Sequence, residues 1–90
     1  MTTASPPRPR PGIDFQRMPD GSGVLFDGDS GQAYAINATA AAVWELCDGR
    51  PAAAIAAALG ERYAAPPAVI AASVAALLDH FRALALLEAP

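Results

Sequence analysis

The sequence predicts an α+β domain, a three-stranded antiparallel β-meander followed by three α-helices. Three observations carry this reading. Residues 13–36 hold short runs of period two separated by turns rich in glycine and aspartate. From Asn37 onward the apolar spacing lengthens to that of a helix. Two proline-marked starts, at Pro51 and Pro67, then divide the second half into further helices.

In chain order, residues 1–12 (Met-Thr-Thr-Ala-Ser-Pro-Pro-Arg-Pro-Arg-Pro-Gly) are expected to form a disordered tail, because proline removes donors and fixes φ. The folded domain is expected to occupy residues 13–90. Ile13 to Met18 alternates, with Ile13, Phe15 and Arg17 opposite Asp14, Gln16 and Met18, and reads as a first strand. Pro19 to Gly23 is turn chemistry, Val24 to Asp27 a second short strand, and Asp27 to Gly31 another turn. The third strand runs over Gln32–Ile36, where Tyr34 and Ile36 share one face. Tight turns between short strands make a meander, whose outer edges stay unpaired unless something covers them.

Asn37 fits a helix N-cap, since its side-chain oxygen can accept from an amide of the next turn. Beyond it Ala40, Val43, Trp44 and Cys47 fall on one stripe, and Asp48-Gly49 is expected to stop the helix. The second helix starts at Pro51 with Ala52, Ile55, Ala56, Leu59 and Tyr63 inward, and ends at Ala64–Pro67. The third carries Ile70, Val74, Leu77, Leu78, Phe81 and Leu84. Leu77 and Leu78 look about 100° apart, so its apolar arc is wider than one packed side requires. That spare width points to a groove. The last two helices, joined by a short turn, have helix-turn-helix order.

Composition narrows the function. The 90 residues are 53% hydrophobic, enough for one small domain, but much of that fraction is alanine. Phe15, Phe26, Tyr34, Trp44, Tyr63 and Phe81 should therefore carry a large share of the core. A net charge of −3, with six arginines and no lysine, suits a nucleic-acid ligand poorly. A single cysteine excludes an intrachain disulfide. There is no long apolar run and no signal-peptide pattern, so a soluble, cytoplasmic protein without a membrane partner is expected.

Three motifs invite a chemical reading and do not support one. Gly28-Asp29-Ser30-Gly31 imitates a nucleophile string, but the sole histidine, His80, lies far along the third helix and reads as a surface residue. A calcium loop would need a distal glutamate that is absent. Cys47 sits on a buried stripe with no companion base or cysteine. No catalytic residue, metal site or cofactor is expected, and the chain reads as a non-enzyme. DNA binding by a winged helix is the alternative, yet the third helix offers Ser73, Asp79, His80 and Arg82 among alanines.

The ordered phrases Tyr34-Ala35-Ile36-Asn37 with Thr39, Val43-Trp44-Glu45-Leu46, Cys47-Asp48-Gly49, Ile55/Leu59/Tyr63 and Val74/Leu77-Leu78/Phe81/Leu86-Leu87 resemble the PqqD-like family over residues 13–88. These are RiPP recognition elements, small winged helix-turn-helix-like domains that bind leader segments of ribosomally made precursor peptides. Three features depart from the family. A Leu-Leu-x-Pro-Glu phrase is missing from the second-strand region, Ala85 stands where glycine is usual, and Arg50-Pro51-Ala52 replaces a Ser/Thr cap. The first leaves the link to pyrroloquinoline quinone (PQQ) biosynthesis unassigned.

The resemblance implies a non-catalytic peptide chaperone that presents its leader peptide to a modifying enzyme, often of the radical-SAM type. It implies strand addition along Gln32, Ala33, Tyr34, Ala35 and Ile36, in a groove lined from Val74, Leu77, Leu78 and Phe81. Proline at Ala33 or Ala35 should remove a donor where that amide faces the open edge, and only one of the two need do so. Short exposed strands also permit a homodimer.

Overall fold

The computed structural model describes residues 6–88, in the order β1 (Ile13–Arg17), β2 (Gly23–Asp27), β3 (Ala33–Ile36), α1 (Ala38–Glu45), α2 (Ala52–Gly60) and α3 (Pro67–Ala83). The sheet is the expected antiparallel meander in the order β1-β2-β3. Phe15, Leu25 and Tyr34 stand in one row across it, and this inner face packs on the helices; Leu25 is fully buried. The ring of Phe15 lies over Gly23, where any Cβ would collide with it, so the glycine makes room for an aromatic side chain under the sheet.

Asn37 caps α1 as its sequence suggests, its Oδ1 accepting from the Ala40 amide at 2.8 Å. The helix stops sooner than expected, at Glu45, with Leu46 as C-cap. Cys47 thus lies just past the helix, still buried, with Sγ 3.3 Å from the Val43 carbonyl oxygen. In α2 only Ile55 and Leu59 are fully buried. Ala52 is exposed and Tyr63 falls beyond the helix, 39% exposed, so the expected inner stripe is narrower. Pro67 opens α3 at its first turn, where a missing N–H costs nothing. Ile70, Val74, Leu78 and Phe81 form its buried stripe. Trp44 meets Phe81 edge to face, with ring centroids 5.2 Å apart.

The N-terminal segment differs most from expectation. Residues 1–5 of the expected tail lie outside the described residues, but Pro7 is buried and Pro9 bridges Leu87 in antiparallel fashion. The bridge leaves the proline nitrogen unused: the Arg10 N–H donates to the Leu86 carbonyl, and the Glu88 N–H to the Arg8 carbonyl. Arg10 fastens the segment further, through Nε to the Ala85 carbonyl at 2.7 Å and through its terminal nitrogens to Asp27 at 2.7 Å and Asp29 at 2.9 Å. Burial alone would raise the pKa of Asp27. The amides of Asp29 and Ser30, with the Ser30 hydroxyl and the Arg10 charge, outweigh it and hold the carboxyl below the ordinary carboxylate range.

Ala85, at φ +58°, terminates α3 in a Schellman motif, its N–H donating to the Arg82 carbonyl and that of Leu86 to the Phe81 carbonyl. An L-residue there is strained, so Ala85→Gly should raise stability by about 1 kcal/mol in a denaturant titration; a lower midpoint would refute this account of the turn. Trp44→Ala removes half of the aromatic contact and should cost about 3–5 kcal/mol. For a domain with a total stability of about 5 kcal/mol, that is enough to lose the folded circular-dichroism spectrum.

Candidate functional site

The open side of β3 is set by the pairing register. Asp27 N–H donates to the Gln32 carbonyl at 2.9 Å, which makes Asp27 and Gln32 a hydrogen-bonded pair. Alternation along the register Leu25↔Tyr34 and Gly23↔Ile36 then turns the amides of Tyr34 and Ile36 toward β2. The N–H and C=O groups of Ala33 and Ala35 point the other way, to the open edge. Sequence reasoning required only one of these alanines to face outward. Residues two apart on a strand share a side, so both do.

The side chains are divided just as cleanly. Gln32, Tyr34 and Ile36 lie toward the helical layer. Tyr34 and Ile36 are half-buried against the core, and the Tyr34 hydroxyl donates to Gln32 Oε1 at 2.7 Å. Ala33 and Ala35 lie on the outer face, exposed. Of the four α3 residues nominated for a groove, Val74, Leu78 and Phe81 are 1%, 2% and 0% exposed and belong to the core. Only Leu77 stays half-buried, beside the core rather than in it. The wide arc of α3 is thus mostly core, with Leu77 as its accessible shoulder.

A feature that sequence reasoning missed lies one turn before Leu77. Ser73 lines an apolar pocket of about 150 Å3 together with Thr39, Leu59, Tyr63, Ala65, Val69 and Ile70. Val69, 54% exposed, and Tyr63 are two of its walls. Thr39 belongs to the first turn of α1, directly after β3, so the pocket lies close to where the open edge ends. Its walls come from residues 59–73, around the turn between α2 and α3, and from Thr39, which is at least twenty positions away in sequence, so spacing alone does not bring them together.

The other candidate chemistry resolves into structure. Gly28–Gly31 is the β2–β3 turn, in which Asp27 Oδ1 accepts from the amides of Asp29 and Ser30 and the Ser30 hydroxyl accepts from the Gln32 amide. Burial, with Asp48 nearby, pushes the Cys47 thiol up to about 11, which keeps it protonated. Among the described residues no cluster of three or more His, Cys, Asp or Glu could hold a metal. None of the described helices is long and apolar enough to cross a membrane.

The family profile described as coenzyme PQQ synthesis protein D (PqqD) matches residues 22–87, which takes in β2, the open edge and all three helices. The chain belongs to the PqqD family. Solved structures agree with this membership and with the α+β fold. Lasso peptide synthetase B1, complexed with the leader peptide, is 30% identical, with a TM-score of 0.78 over 93% of this PqqD-family chain and 99% of its own. The PqqD truncation of Methylobacterium extorquens PqqCD, described as a functional and stand-alone RiPP recognition element, is 28% identical, with a TM-score of 0.75 over 91% of this chain and 87% of its own. TbiB1, in complex with the TbiA(beta) leader peptide, shares the fold at 18% identity, with a TM-score of 0.81 over 90% and 94% of the two chains. No curated protein matches by sequence.

Leu77 and Leu78 divide α3 into shoulder and core. Leu78→Asp buries a charge in a position 2% exposed and should unfold the domain. Leu77→Asp should leave the circular-dichroism spectrum and melting cooperativity intact. If the two variants behaved alike, the division of α3 into core and shoulder would fail.

Proposed function

We propose that this protein is a non-catalytic recognition module that captures the leader of a ribosomally synthesised precursor peptide as a fourth strand on β3. The carrying observation is the pair of outward-facing peptide groups at Ala33 and Ala35, flanked on the inner side by half-buried Tyr34 and Ile36. Edge addition gives a peptide main-chain hydrogen bonds, and the inner side chains, with Leu77 and the pocket at Thr39, would select what it carries. Val74, Leu78 and Phe81 act behind them, as the packed support of the groove. Membership in the PqqD family and likeness to leader-bound relatives support the reading.

The captured leader is held for a modifying enzyme, of the radical-SAM type by family resemblance, so that the linked core peptide reaches a high effective concentration at that active site. The module acts in the cytoplasm, where precursor peptides are made. Self-pairing of β3 edges into a homodimer would compete with the leader for the same amides. DNA binding has less to recommend it. The exposed face of α3 offers Asp79, His80 and Arg82, and Asp79 lies 3.8 Å from Arg82, drawing off the one cation there.

A leader encoded beside the gene should bind with micromolar affinity, about −8 kcal/mol. Ala33→Pro and Ala35→Pro each delete one outward donor and should weaken it about tenfold or more, with the fold retained. Proline at Tyr34 or Ile36 instead breaks pairing with β2 and should unfold the sheet. The reading is wrong if calorimetry finds both alanine-site variants binding like the wild type, or if NMR shifts gather on β1 and α2 while β3 and Leu77 stay silent.

A further inference from the structure

Two rows cross the outer face of the sheet, turned away from the helices: Asp14, Phe26 and Ala33, then Gln16, Val24 and Ala35. Phe26 is 47% exposed, Val24 is half-buried and both alanines are exposed. The other two phenylalanines, Phe15 and Phe81, pack with the core. On the β1 side the apolar strip ends at the polar Asp14 and Gln16. On the β3 side no described residue bounds it, and it runs straight onto the open edge.

We infer that this outer strip is a second reading surface for the same peptide: side chains of the leader strand that turn away from α3 pack across Ala33 and Ala35 onto Phe26 and Val24. The inference rests on strand addition to β3 and extends it. Residues of an added strand alternate between faces whichever way it runs, so half of them must stand on this side. An added strand would lie about 10 Å from β2, two strand spacings away. A phenyl ring and a large apolar peptide side chain can each reach about half that span, and only a methyl group stands between them. Ala33 faces Phe26 at a non-hydrogen-bonded pair, where side chains come closest. The alanines therefore act as gaps through which Phe26 reads the peptide. The occupant this selects is a leader strand with aromatic or branched apolar residues on both faces, rather than one that is amphipathic and polar outside.

The test selects displayed random peptides, long enough to span the edge, on the full chain. Resynthesised binders are then titrated into the wild type, Phe26→Ala, Ala33→Glu and Ala33→Pro. Phe26 is exposed, so Phe26→Ala should fold normally, and Ala33→Glu keeps its edge amide while placing a charge on the strip. Binders should carry apolar residues at successive positions, and Phe26→Ala should bind them about 3- to 10-fold more weakly, as expected for an aromatic contact. Replacing the outward residue of the peptide by serine should abolish that difference. Ala33→Glu should weaken binding even though its backbone donor remains.

Binders lost by Ala33→Pro but indifferent to Phe26→Ala and Ala33→Glu would overturn the outer-face contact and leave strand addition standing. Binders indifferent to all three variants, or no binders at all, would count against the edge itself and this inference with it. Loss of a modifying enzyme on Phe26→Ala, with peptide affinity unchanged, would assign the strip to that enzyme and refute the proposal.

Discussion

The perpendicular packing of Trp44 against Phe81 fixes where the open edge lies. Trp44 is on α1, which follows β3 with only the Asn37 cap between them, and Phe81 is on the last turns of α3. Holding those rings 5.2 Å apart therefore ties the strand that offers free amides to the helix whose shoulder carries Leu77. The neighbours of this contact are small. Ala40, Ala41 and Ala42 are all buried, which lets α1 approach closely but adds little area. The Trp44–Phe81 contact is thus the largest side-chain contribution to the packing of α1 on α3, behind the proposed edge.

The segment Pro7–Arg10 reinforces the same arrangement from the other side. The Arg10 guanidinium joins the N-terminal segment to the β2–β3 turn through Asp27 and Asp29, and to the end of α3 through the Ala85 carbonyl. The Arg8 side chain lies over Gly49, whose φ of +101° and missing Cβ admit it, and the Gly49 amide donates to the Pro7 carbonyl. By contrast, the ion pair between Arg17 and Glu45, both largely exposed, contributes little.

Much of this was legible in the sequence, for local reasons. Period-two runs, the Asn37 cap and Pro67 at a helix start are each decided by neighbouring residues, and each appears as expected. The division of α3 was not legible. Leu77 and Leu78 lie 100° apart within one apolar arc, and only the placement of the sheet and α1 decides that Leu78 is core and Leu77 shoulder. The proline-rich start misled for a related reason. Proline forbids the donor at its own position, but Pro9 sits at the bridge position whose donor is never used, while Arg8 and Arg10 supply the bonds. The pocket at Thr39 joins residues some thirty positions apart, a distance over which spacing says nothing.

The two edges of the sheet show how the chain separates a guarded surface from an offered one. Unpaired strand edges invite association, and charges or covering segments suppress it. β1 carries Asp14 and Arg17, with Pro11 just before it. β3 reads Ala-Tyr-Ala-Ile, with no charge and no proline. Its protection is brevity: four residues, closed at one end by the Asp27–Gly31 turn and at the other by the Asn37 cap. An edge this short gives another globular domain little to hold. A flexible peptide added there, as proposed, would make its few main-chain bonds and draw the rest of its affinity from side chains. The uncharged edge is therefore better matched to a short extended ligand than to a second folded sheet.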